Sequence, residues 1–134
     1  MVRTLRMVDF RCWDALAIKM PACGGVLIGQ NAQGKTSILE AVCVLLRLQS
    51  PRTHKLGAMV RFSQPGFGVA GEAWEMDRKV RYGKDGLRCE VNEEPRESSS
   101  AYLQDGGLVV WMGNEDLELV RGAGETRRRY LDFM

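Results

Sequence analysis

The chain has 134 residues, 45% of them hydrophobic, with 19 Lys and Arg against 17 Asp and Glu for a net charge of +2. That size suits one domain with a real core, and the near-balance of charge excludes a protein marked as a nucleic-acid binder by composition alone. Four scattered cysteines (Cys12, Cys23, Cys43, Cys89) and a single histidine offer no zinc or redox spacing, and no stretch approaches the ~20 apolar residues of a membrane span. With no N-terminal run resembling a signal peptide, the expectation is a soluble, cytoplasmic chain with no membrane partner. Charge is uneven: residues 1–60 hold eight basic against three acidic residues, and 61–134 hold eleven against fourteen.

In chain order, Val2 to Phe10 alternates apolar and polar residues as a strand does, and Ala15 to Met20 is a second strand ended by Pro21 and Gly24-Gly25. Val26-Leu27-Ile28 is a short apolar, β-branched run that predicts a buried strand. Gly29-Gln30-Asn31-Ala32-Gln33-Gly34-Lys35-Thr36 then completes a G-x-x-x-x-G-K-[ST] phosphate-binding loop. Gly29 and Gly34 let the backbone curl so that its N–H groups point inward. Lys35 brings a point charge to the β- and γ-phosphates, and the Thr36 hydroxyl is a ligand for Mg²⁺. Lys35 to Leu48 predicts an apolar helix whose N-terminus favours anions through its orphan amides and dipole.

Ser50 to Lys55 predicts a polar connection with His54 on its surface. Phe67 to Ala73 predicts a strand, and Val80 to Tyr82 and Leu87 to Val91 flank a Gly83-Lys84-Asp85-Gly86 hairpin. Residues 92–100 read as a solvated linker, Leu108 to Trp111 as an apolar strand, and a helical tail begins near Asn114 or Glu115. In that tail Arg127-Arg128-Arg129 reads by itself as a solvated charge run. Glu115-Asp116 is the one acidic pair after an apolar strand, but Met112-Gly113-Asn114 intervenes, so it reads as a helix-start cluster favoured by the dipole. No catalytic residue is assigned.

Four stretches together resemble the RecF family of bacterial recombination proteins. Leu5 to Arg11 is similar to its opening L-x-x-x-N-F-R strand, and Thr36 to Ala41 to its K-T-N-L-L-E-A. Ser50 to Thr53 is similar to its R-S-H-R-T, and residues 115–133 to its E-D-L-x-L-V-K-G-x-P-x-x-R-R-R-F-L-D. The resemblance implies an α/β phosphate-loop NTPase: the N-terminal lobe of an ABC-type, SMC-like ATPase head with a mixed or antiparallel β-layer. Residues 1–105 would form the ATP-binding lobe and 106–134 the start of a helical lobe. It further implies ATP and Mg²⁺ as cofactors, with Arg11, the loop 29–36 and Ser37 at the nucleotide, and Thr36 on the metal.

The implied role lies in recombinational repair, replication-fork maintenance and the response to DNA damage. Implied partners are single-stranded or gapped DNA, a second protomer in an ATP-dependent homodimer, and RecO/RecR-type mediators. Arg52 and Arg127-Arg128-Arg129 are the candidate DNA contacts. Two features depart from the family pattern, Ala32 for the second loop glycine and Asn114 for the usual proline. A Walker B acid pair and a signature segment are not found in the sequence, so hydrolysis by this chain alone is not expected. A small phosphate-loop nucleotide kinase and an inactive fragment are the alternatives.

Overall fold

The computed structural model describes residues 1–113 and 124. Six strands make one sheet: β1 (Thr4–Phe10), β2 (Trp13–Lys19), β3 (Phe67–Ala73), β4 (Met76–Gly83), β5 (Gly86–Val91) and β6 (Glu94–Arg96), in the order β2-β1-β3-β4-β5-β6. Every pairing among them is antiparallel. Alternation decides which face is buried. Leu5 and Met7 of β1, Val69 of β3, Val80 of β4 and Val91 of β5 all point inward into one core shared with helix α1 (Lys35–Arg47). From the helix, Ala41, Val44 and Leu45 are fully buried against them. Phe10 meets the edge of Phe67 at 5.2 Å, and Phe67 stacks on Tyr82 at 5.7 Å, closing the core under β1, β3 and β4.

The stretch 92–100 is not a linker. Asn92 and Glu93 both adopt positive φ (53° and 66°) and turn β5 directly into β6, as a two-residue hairpin of the primed type does. Asn92 also accepts from the Asp77 amide through its side chain, at 2.9 Å. Pro95 is accommodated because β6 is an edge strand, where a missing N–H costs no ladder bond. Ser98 then caps helix α2 (Ser99–Gln104) by accepting from Ala101 N. The Tyr102 hydroxyl of α2 donates to the Leu45 carbonyl at 2.5 Å and ties this second hairpin to α1.

Two predicted strands do not form. Residues 26–28 and 108–111 carry no ladder, and Val26, Ile28, Leu108 and Val110 are 84%, 92%, 83% and 76% exposed. A strand needs a neighbour to satisfy its backbone, and the antiparallel layer fills its own pairings without them. Both segments instead line an apolar cleft of about 710 Å³ together with Leu39 and Val42 of α1. The predicted tail, with Asn114, Glu115, Asp116 and Arg127-Arg128-Arg129, lies outside the described residues.

Candidate phosphate-binding site

The start of α1 makes the site. Gly34 is the residue before its first turn, in the left-handed region at φ 84°, and no side chain caps the helix. Its first amides are therefore left for a ligand. A Cβ at Gly34 would lie 2.5 Å from Cys12 Sγ and 2.7 Å from Trp13 Nε1, so only glycine lets the loop settle onto the β1–β2 turn. The Trp13 indole N–H donates to the Gly34 carbonyl at 3.3 Å and fixes that contact. Ala32 takes φ 64°, a strained choice for a residue with a Cβ and the opposite of the negative φ that would make it a harmless replacement for glycine.

Within the loop, Lys35 Nζ donates to the carbonyls of Gly29 and Gln30 at 2.7 and 2.5 Å, and the Gln33 side chain accepts from the Gln30 amide at 3.0 Å. The loop thus satisfies itself with groups that a phosphate would take over.

A cleft of about 570 Å³ opens beside it, lined by Asn31, Lys35, Thr36 and Ser37 on one side and by Arg11 and Arg52 on the other. Three basic side chains face one space, which suits a polyphosphate. Among the described residues no cluster of His, Cys, Asp or Glu could hold a metal by itself, and the Thr36 hydroxyl lies on the cleft wall. Arg52, proposed from sequence as a DNA contact, sits at this rim with 48% of its side chain exposed. Gly29, Gln30 and Gln33 shape the loop without lining the cleft.

Sequence reasoning missed Glu40. It is completely buried on α1, where Arg11 grips it with both Nε (2.9 Å to Oε2) and Nη2 (2.5 Å to Oε1). The Ser50 hydroxyl also bonds Glu40, and Arg52 Nη1 reaches it at 3.5 Å. One signal was available: Glu40 is the lone acid in an otherwise apolar helix. Ser50, read as part of a polar connection, is buried for the same reason.

A bare helix start behind a G-x-x-x-x-G-K-T loop, with an antiparallel layer packed on that helix, defines the nucleotide-binding lobe of an ABC-type ATPase head. Known proteins agree. The chain is 34% identical over 129 residues to the DNA replication and repair protein RecF of Lactobacillus johnsonii, which covers 93% of this chain and 34% of the relative. It is 29% identical over 136 residues to RecF of Bacillus cytotoxicus, covering 98% of this chain and 36% of that one.

Among solved structures, the recombination mediator protein RecF with ATP superposes with a TM-score of 0.73 at 29% identity, over 98% of this chain and 38% of the other. A structure from work on ATP-driven dimerisation and DNA-stimulated activation of SMC ATPases gives a TM-score of 0.76 at 17% identity, over 98% and 97% of the two chains, which speaks for the fold alone. No family model matches. By sequence and by fold alike, this chain is similar to RecF over 93–98% of its length. It spans about a third of the length of the relatives it matches.

Proposed function

We propose that the chain binds ATP with Mg²⁺ through residues 29–37 and serves as the ATP-binding lobe of a cytoplasmic, DNA-binding factor in recombinational repair and replication-fork maintenance. The observation that carries this reading is the convergence of Lys35, Thr36, Arg11 and Arg52 on one cleft at the bare start of α1. Residues 1–105 form that lobe, and residues from 106 onward lead into a helical one. Lys35, freed from the Gly29 and Gln30 carbonyls, holds the β- and γ-phosphates. The Thr36 hydroxyl bears on the metal, whose chemistry is to neutralise phosphate charge and orient the γ-phosphoryl group. Gapped or single-stranded DNA, a second protomer and RecO/RecR-type mediators are the partners this role requires.

Among the described residues no acid lines the cleft, and Glu40, which binds its two arginines, is already engaged by Arg11 and Ser50. It cannot polarise an attacking water, and binding without transition-state contacts does not accelerate hydrolysis. Steady-state phosphate release by the 134-residue chain is expected at background, and robust Lys35-dependent turnover would refute that.

Titration calorimetry with MgATP tests the binding itself. Lys35→Ala removes a charge-assisted phosphate contact worth roughly 1.5–3 kcal/mol, or about tenfold to more than a hundredfold in affinity, whereas Lys84→Ala on the distant β4–β5 turn changes nothing. Equal isotherms for wild type and Lys35→Ala would end the phosphate-loop reading. For DNA, three or four phosphate contacts from Arg52 and Arg127-Arg128-Arg129 give a log–log salt slope of about −3 to −4 on duplex. Salt-independent binding would rule those contacts out.

A further inference from the structure

We infer that Glu40 is a positioning residue for the nucleotide cleft: it fixes the Arg11 guanidinium as one wall of the site and leaves Arg52 as the wall that can move. The inference rests on the nucleotide-binding reading above. Arg11 comes from the β1–β2 turn, Glu40 from α1, and Ser50 and Arg52 from the segment that follows α1. A single buried carboxylate therefore joins three elements that share no strand pairing.

The two arginines are held very differently. Arg11 uses Nε and Nη2 on the carboxylate and Nη1 on the Ala58 carbonyl at 2.7 Å, so all three of its nitrogens are engaged, and 20% of its side chain is exposed. Such a fork has one orientation. Each terminal nitrogen keeps a second N–H, and Arg11 lines the cleft, so those protons are presented from a fixed frame. Arg52 makes one contact at 3.5 Å, at the outer limit of a hydrogen bond, with nearly half its side chain in solvent. Its backbone is nonetheless anchored, since Ser50 Oγ accepts from the amides of Arg52 and Thr53 at 3.0 and 3.2 Å.

Two cations thus share one buried anion, and the described residues put no other acid at the cleft. The surplus positive charge is matched when phosphate arrives, and the weakly held Arg52 is the group able to turn toward it without disturbing the fork on Arg11. A carboxylate with only a packing role would show no such asymmetry and would not need to hold two arginines that both line this cleft.

The test is MgATP calorimetry on the 134-residue chain, with the thermal midpoint of each variant recorded alongside. Glu40→Gln keeps the shape and removes the charge, while Arg11→Lys keeps the charge and removes the fork. Each is expected to weaken ATP about tenfold. Because they break one arrangement, the double variant should lose no more than the worse single. Additive losses, or a Glu40→Gln protein that melts earlier but binds ATP as wild type does, would overturn the inference. Should Glu40→Gln not fold, Ser50→Ala decides instead: about threefold weaker ATP binding is expected, and an unchanged isotherm overturns. Wild-type binding that depends on Lys35 but not on Glu40 removes this inference alone, whereas wild-type binding indifferent to Lys35 removes the phosphate-loop reading with it.

Discussion

The sheet with the inner face of α1, and the apolar segments at 26–28 and 108–111, are built from the same kinds of residue and meet opposite fates. Val69, Val80 and Val91 are buried almost completely, while Val26 and Val110 are 84% and 76% exposed. Hydrophobicity is common to both sets; hydrogen-bonded neighbours are not. Each buried valine sits on a strand whose backbone is paired on both sides, β3 between β1 and β4, β4 between β3 and β5, β5 between β4 and β6. The exposed ones belong to segments with no ladder. A β-branched run becomes a strand only where another strand completes it, because an unpaired backbone resists burial more strongly than the side chains favour it.

The most forceful way to break this comparison is to truncate one apolar side chain in each region. Leu45→Ala removes a fully buried side chain that touches the sheet core, and should destabilise by about 2–5 kcal/mol. Ile28→Ser, at a residue 92% exposed, should stay within about 0.5 kcal/mol. Urea unfolding of both variants checks the pair. A large loss for Ile28→Ser would show that the segment is packed in solution, and the contrast would fall.

The same contrast explains what could be seen in the sequence. The G-x-x-x-x-G-K-T spelling at 29–36 was legible in the sequence, because that motif is defined by residue types at fixed spacing. Strands β1 and β3 were legible from alternation, and Leu48 ended α1 within a residue of expectation. The β5–β6 hairpin was not, because its turn is Asn92-Glu93, without the glycine that usually signals positive φ, and β6 contains a proline. Residues 26–28 and 108–111 were misread for a different reason: local pattern reports side-chain preference and is silent on whether a partner strand exists. Glu40 shows a third limit. A charge inside an apolar helix marks a buried ion pair only when Arg11, 29 positions away, is known to fold onto it.

Alkaline pH sharpens the comparison from the packed side. Tyr102 is fully buried, and that burial outweighs the nearby Arg78 cation, pushing its hydroxyl up to about 12 from the ordinary 10. The folded-state value is the higher one, so the folded chain holds this proton more tightly. Its contribution is complete below pH ~10 and declines as pH rises toward 12, by at most about 1.4 kcal/mol per pH unit. Denaturant midpoints should therefore fall between pH 10 and 12 in wild type and fall less in Tyr102→Phe, which loses instead the hydrogen bond to Leu45. Parallel pH profiles would mean that Tyr102 ionises as readily as a solvated phenol and that α2 is not packed as described.

A smaller effect than either loss from the packed side comes from the loop itself. Ala32 holds φ 64°, where a Cβ crowds the backbone, and the neighbouring loop has no packed layer to impose that conformation. Ala32→Gly removes the crowding, worth about 1–2 kcal/mol, and gives back about 0.4–1 kcal/mol through the looser unfolded chain. The net should be stabilisation by up to about 1.6 kcal/mol, visible as a higher urea midpoint. If the strain has any use, it lies in holding the Gln33 and Lys35 contacts that close the empty loop, so the same variant should bind MgATP at least as tightly as wild type. Lower stability in Ala32→Gly would show that this residue relaxes to negative φ in solution, and that the loop, unlike the sheet, has a backbone path its hydrogen bonds do not fix.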